Sequence, residues 1–196
     1  MDNQQKVLLE QKKKQLQLQI AVQKEISMRI SGWLSIYDEI LENKVEHSLH
    51  EIEAHDPETL IYWQKALNEA PLIAYQLDSK LLNFNNETWV QTTLYRNFPS
   101  QNPLRFVPPL MEQYLSDDVK SLLETALTQK DLLDDTELYL CYLYYYPVIK
   151  IKLNEALKHA NLLFDHPLED IALFTTDRNW LFFKSMEDQY YFGSKV

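Results

Sequence analysis

The chain has 196 residues and a mass of 23.3 kDa, enough for one domain with a substantial buried core. Its 45% hydrophobic and 24% charged residues are ordinary globular usage, which excludes wholesale disorder and a membrane bundle. Two glycines stand where average usage gives roughly 14, so neither a glycine-rich phosphate loop nor a dinucleotide fingerprint can be written, and a net charge of −10 opposes nucleic-acid backbones and anionic lipid as bulk partners.

The start, MDNQQKVLLEQKKKQLQLQ, lacks the apolar h-region of a secretory signal. No window reaches the ~18 apolar residues of a spanning helix. One cysteine, Cys141, allows no internal disulfide and no cysteine-based zinc site. The expected location is therefore the cytoplasm, with no membrane partner.

Residues 3–30 hold seven glutamines and five lysines among aliphatic residues, without glycine or proline, a composition that favours helix. Leu9, Leu16, Ile20, Ser27, Ile30, Leu34, Tyr37, Leu41, Val45, Leu49 and Ile52 follow at spacings of mostly three and four, one helical stripe with a polar lapse at Ser27. Gly32 is the expected break between two helices. Asp56-Pro57 reads as a cap and first helical residue, launching a helix that Pro71 ends. Residues 71–109 are rich in proline and asparagine, with aromatic residues interleaved, and read as a long connection or as short helices packed by aromatics. Ser116 is the expected cap of a helix over 119–130, Thr136 that of a helix over 137–146, and Pro147 opens a further helix to about residue 163. From Asp170 the apolar period changes to two, and three short runs around Ile171, Trp180 and Tyr190 predict an antiparallel meander.

The expected fold is α+β and predominantly α-helical: a helical body with a long N-terminal helix and a small C-terminal three-stranded antiparallel meander. Residues 1–54 form an N-terminal helical arm or hairpin. Residues 55–196 form the helical body, closing with the meander over 170–193, and the two make one compact unit.

Charge is segregated. Residues 1–30 carry +3, whereas 31–70 and 111–147 together carry −13. Such a field speeds encounter with a cationic partner, although solvated helix faces explain it equally simply. Candidate chemistry is sparse. His47, His50 and His55 put potential ligands at helical spacing, without the HExxH order of zinc peptidases, and surface histidines are the simpler reading. Asp131, Asp134 and Asp135 lack a phosphate cradle and read as turn and cap residues. Cys141, with no basic neighbour, reads as a buried structural thiol. Lys12, Lys13 and Lys14 make only a weak case for nucleic acid on an anionic chain. No metal, cofactor or catalytic residue is nominated.

Aromatic residues are abundant: four Trp, 12 Tyr and eight Phe. Tyr139, Tyr142, Tyr144, Tyr145 and Tyr146 would cover every face of a helix, so some are expected to be exposed. The expected partner-binding set is Glu39, Glu42, Glu46, Asp118, Asp134 and Asp135 as carboxylates, with Trp63, Trp89, Tyr144 and Tyr145 as aromatic anchors.

The closing segment DIALFTTDRNWLFFKSMEDQYYFGS, through Asp177, Trp180, Asp188 and Gly193, resembles the terminal strand pairs of bacterial toxin-immunity proteins, cytoplasmic antidotes of contact-dependent and type VI secretion toxins. It covers residues 170–194 alone. The resemblance implies a non-enzymatic inhibitor that occludes a basic toxin domain without touching nucleic acid itself. A structural or regulatory protein that forms a homodimer through the N-terminal helix, and an acidic DNA mimic, are the alternatives.

Overall fold

Residues 3–69, 71–110, 112–114, 118–128, 130 and 132–195 are described by the computed structural model. Eight strands occur among them: β1 His47–Glu53, β2 Leu82–Asn83, β3 Glu112–Tyr114, β4 Glu137–Tyr142, β5 Val148–Lys152, β6 Ile171–Thr175, β7 Trp180–Lys184 and β8 Tyr190–Ser194. They form one sheet in the order β2-β1-β5-β4-β6-β7-β8-β3. Seven strands pair antiparallel, and the two residues of β2 add to β1 in parallel. The helices are α1 Asn3–Glu25, α2 Ser31–Glu42, α3 Leu60–Leu67, α4 Val90–Asn97, α5 Val119–Thr128, α6 Leu153–Lys158 and α7 Ala160–Phe164.

This corrects the predominantly helical body. The meander β6-β7-β8 is present, but it is one part of the sheet's seven antiparallel strands in a mixed α+β fold. The helix expected over 137–146 is strand β4 and its turn, and the one expected from Pro147 begins as strand β5. Burial on both faces is the physical reason. Leu138, Leu140 and Tyr142 face one side with Leu173 and Phe182, against Trp33 of α2, Trp63 of α3 and Phe164 of α7. Tyr139 and Cys141 face the other with Phe174 and Phe183, against Val90 and Leu94 of α4 and Phe98 and Phe106 beyond it. A strand covered on both sides shows no alternation, and its unbroken apolar run cannot be told from a buried helix by period alone. The tyrosines of β4 alternate between two cores; the Tyr142 hydroxyl donates to the Leu163 carbonyl at 2.9 Å.

The helical stripe of the first 52 residues is also revised. Its last members, Leu49 and Ile52, lie on strand β1. Between α1 and α2 the chain makes a π-helical turn, Ile26–Ile30, and α2 runs on through Gly32. Glycine is needed at 32 for close approach: a Cβ there would lie 2.5 Å from the Tyr145 ring. Ile30 and Tyr37 are buried, while Leu9, Leu16 and Ile20 face solvent.

Asp56 caps as expected, accepting from the Glu58 amide at 2.8 Å. Helix α5 stands where predicted, with Asp118 accepting from the Ser121 amide at 3.2 Å; Ser116, the expected cap, lies outside the described residues, as does Asp131. Much of the expected connection over 71–109 covers the second sheet face. Val90, Leu94 and Phe98, four apart, bury one side of α4, and Phe106 meets the Phe183 ring at 5.0 Å.

Two-sided cover has a measurable consequence. Leu173 and Phe174 are adjacent, both 0% exposed, and belong to opposite cores. Leu173→Ala and Phe174→Ala are each expected to cost about 2–5 kcal/mol in urea unfolding; a loss below about 1 kcal/mol for either would mean that its face is not sealed.

Candidate functional site

The sequence-predicted residues fall in four places: one end of the sheet, the start of α5, the buried interior and the β4–β5 turn. Glu39 and Glu42 are exposed on α2, and Glu46 follows just before β1. Asp134 and Asp135 are exposed in the turn leading to β4. Two hydrogen bonds bring these segments together, although some 90 residues separate them in sequence. The Glu46 amide donates to Glu155 Oε2 at 3.2 Å, and the neighbouring Asn154 amide donates to the Asp134 carbonyl at 3.0 Å. The result is one carboxylate-bearing end of the sheet, where β1 and β4 begin and β5 finishes. Lys150 and Lys158 share this end but are engaged by Glu137 at 4.0 Å and Glu155 at 3.2 Å. Among the described residues, no ion pair or side-chain hydrogen bond engages the carboxylates of Glu42, Glu46, Asp134 or Asp135.

Asp118 is not part of this end. It caps α5, accepting from the Ser121 hydroxyl at 2.6 Å, and its neighbour Val119 lines a cavity beside Lys184 and Asp188, where β7 finishes and β8 begins. Trp63 and Trp89, 2% and 7% exposed, are core residues; the Trp89 indole donates to the Asn83 carbonyl at 2.7 Å. Neither presents a ring face for a partner to cover. Tyr144, in the β4–β5 turn, is 57% exposed. Tyr145 is half-buried, donating to Glu169 Oε1 at 3.2 Å.

The histidines do not share a helical face, because His47 and His50 lie on β1 and point to opposite sides of the sheet. His47 bonds the Val45 carbonyl and the Tyr37 hydroxyl, each at 2.8 Å. His50 packs on the Tyr139 ring at 4.9 Å, and burial lowers its pKa. His55 meets the Trp89 ring edge-on. Among the described residues no three His, Cys, Asp or Glu side chains gather as a metal site. Cys141 is buried, which pushes its thiol pKa well up.

A second cluster was not anticipated. Glu51 and Glu53, 5% and 4% exposed, project from β1 under the N-terminus of α4. Glu51 Oε1 accepts from the Val90 amide, and its other oxygen accepts from Asn83 Nδ2 at 2.8 Å. Glu53 Oε1 accepts from the Gln91 amide at 3.0 Å, and Oε2 from the Tyr146 hydroxyl at 2.9 Å. Arg29 closes the chain, donating to that hydroxyl at 3.1 Å and lying over its ring. The two carboxylates satisfy amides that an isolated helix end would leave unpaired, and the positive end of the helix favours them. Burial nevertheless pushes Glu53 up to about 7, against the lowering effect of the bonds from Gln91 and Tyr146. Only the two-residue period of a strand puts Glu51 and Glu53 on one face, so a helical reading hides them.

The residues that carry the immunity-protein resemblance work within the sheet. Asp177 accepts from the Asn179 amide at 3.1 Å across the β6–β7 turn, and Trp180 is buried. Asp188 pairs at 2.8 Å with Lys184, whose amine also donates to the His166 carbonyl at 3.1 Å. No helix among the described residues is long and apolar enough to cross a membrane. No protein-family model, curated protein or solved structure matches the chain.

Glu53 links protonation to stability. Its folded pKa of about 7 lies above the unfolded value near 4.5, so its contribution is full below about pH 4.5 and is lost as pH rises through 7. Glu53→Gln, a mimic of the protonated acid, is expected to flatten that slope and to raise stability at pH 8 by about 1–3 kcal/mol. Urea midpoints across pH 4.5–8 that fall equally in both proteins would show that Glu53 is not the titrating group.

Proposed function

We propose that this chain is a protein-binding inhibitor that acts by occlusion rather than turnover, and that its partner is a basic protein, a toxin domain in the reading that residues 170–194 suggest. The carrying observation is the gathering of Glu42, Glu46, Asp134 and Asp135, exposed and unpaired among the described residues, at one end of the sheet. Carboxylates held on turns between rigid elements raise the local concentration of a cationic surface and orient it before contact. Glu39, one turn before Glu42 on α2, widens the same field. Tyr144 offers an aromatic surface at the opposite end of β4 and is a second contact if the partner is large enough to span the strand. An inhibitor of this kind works in the compartment of its target, which for a cytoplasmic toxin is the cytoplasm.

The acidic DNA-mimic reading has less support. Lys44, Lys150, Lys152 and Lys158 are interspersed among the carboxylates of this end, whereas a mimic needs unbroken rows of negative charge at phosphate spacing.

The test begins with the protein that copurifies with the tagged full chain from its native cells. Its association should slow by about tenfold or more on combining Glu42→Lys, Glu46→Lys, Asp134→Lys and Asp135→Lys, and the salt dependence should become shallower. An association rate for the unaltered chain that is the same at 50 and 500 mM salt would remove electrostatic steering from the reading.

A further inference from the structure

The outer face of α1 carries charge of the opposite sign. Helix α1 has 23 residues, a length of about 35 Å. Residues 3–17 are exposed throughout, and only Val22 is fully buried. The body holds the helix along one side, through the Lys14–Glu58 ion pair and the seam with α3 lined by Leu18, Val22 and Tyr62. On the far side Leu9, Leu16 and Ile20, at spacings of seven and four, are 53%, 57% and 53% exposed. The three side chains lie along one line of the helix, with Lys6 and Lys13 at the intervening three-and-four positions.

The flanks of this line identify the partner's chemistry. Taking about 100° per residue, Lys6, Lys12, Lys13 and Lys24 all fall within about 60° of the Leu9–Leu16–Ile20 line. The glutamates of α1, Glu10 and Glu25, fall farther round, and Glu25 pairs with Arg29 at 3.2 Å. An apolar line edged by lysines repels a second α1, so symmetric self-pairing is opposed by like charge. A lipid surface wants a broad apolar face with aromatic residues; this line is narrow, carries no aromatic residue and is edged by Gln5 and Gln23 as well as lysine.

We infer that the outer face of α1 binds an acidic amphipathic helix of another polypeptide, with Leu9, Leu16 and Ile20 packing in its apolar groove and Lys6, Lys12, Lys13 and Lys24 meeting its carboxylates. This surface is distinct from the carboxylate end of the sheet, so the chain can hold two partners of opposite charge.

The test uses the full chain and two synthetic helical peptides with leucine at a and d, one with glutamate and the other with lysine at e and g. Fluorescence anisotropy should show the glutamate peptide binding at least about tenfold more tightly. Leu16→Gln combined with Ile20→Gln should abolish binding while leaving the unfolding midpoint unchanged, because both side chains are exposed. Equal affinity for the two peptides, no binding of either, or binding that survives the double substitution would overturn the inference. So would a dimer in sedimentation equilibrium that the double substitution converts to monomer, which assigns the face to a second copy. Binding to phosphatidylserine vesicles that is lost in the same variant, without peptide binding, would assign it to a membrane surface and overturn the inference as well.

Discussion

Burial of β4, β6 and β7 on both faces is the constraint on which the rest of the structure depends. A sheet whose central strands carry Leu138 to Leu143, Ile171 to Phe174 and Trp180 to Phe183 needs two lids. One lid is a group of helices, α2, α5, α6 and α7, that pack on one another as well as on the sheet. The other is thin: an eight-residue helix and the segment up to Leu110. A helix that short is not stable alone. It is kept in place by Val90, Leu94 and Phe98 pressing on the sheet and by Glu51 and Glu53 binding its first amides. The buried carboxylates of β1 thus belong to the mechanics of the fold, and Tyr146 and Arg29 extend that anchorage to the junction of α1 and α2.

How much of the fold was legible in the sequence depended on how strongly each local pattern was tied to its surroundings. The meander could be read because short turn signals separate three apolar runs. Helix α5 and the Asp56 cap could be read because their signals are local. Strands β4 and β5 could not, because LYLCYL is apolar at every position and Pro147 after it imitates a helix start. Strand β1 was hidden for the converse reason: Val45, Leu49 and Ile52 continue a helical spacing by coincidence, and a bulge between Leu49 and Glu51 disturbs the two-residue period. The exposed carboxylates could be nominated from charge alone. Their assembly into one place depends on pairing between β1, β5 and β4, which no local pattern encodes. Trp63 and Trp89 show the limit of composition, since aromatic abundance here fills two cores rather than one.

The distribution of charge acquires a spatial meaning once the fold is in place. The lysines of α1 are carried on a helix held along one side by an acidic body, and the ion pair of Lys14 with Glu58 lies midway along it. Toward the N-terminus of that helix, Val7, Leu8 and Leu9 are all exposed. Aliphatic residues in water on a lysine-edged helix, and carboxylates in water on turns, are chemically different surfaces on one sheet-based body.

The margins of that sheet set how it can be approached. At one margin is the two-residue β2, laid beside a bulged β1; at the other is the three-residue β3. Among the described residues both border strands are short, and the strand beside β2 is bulged. Short or bulged borders discourage a sheet from pairing edge to edge and growing into fibrils through its flanks.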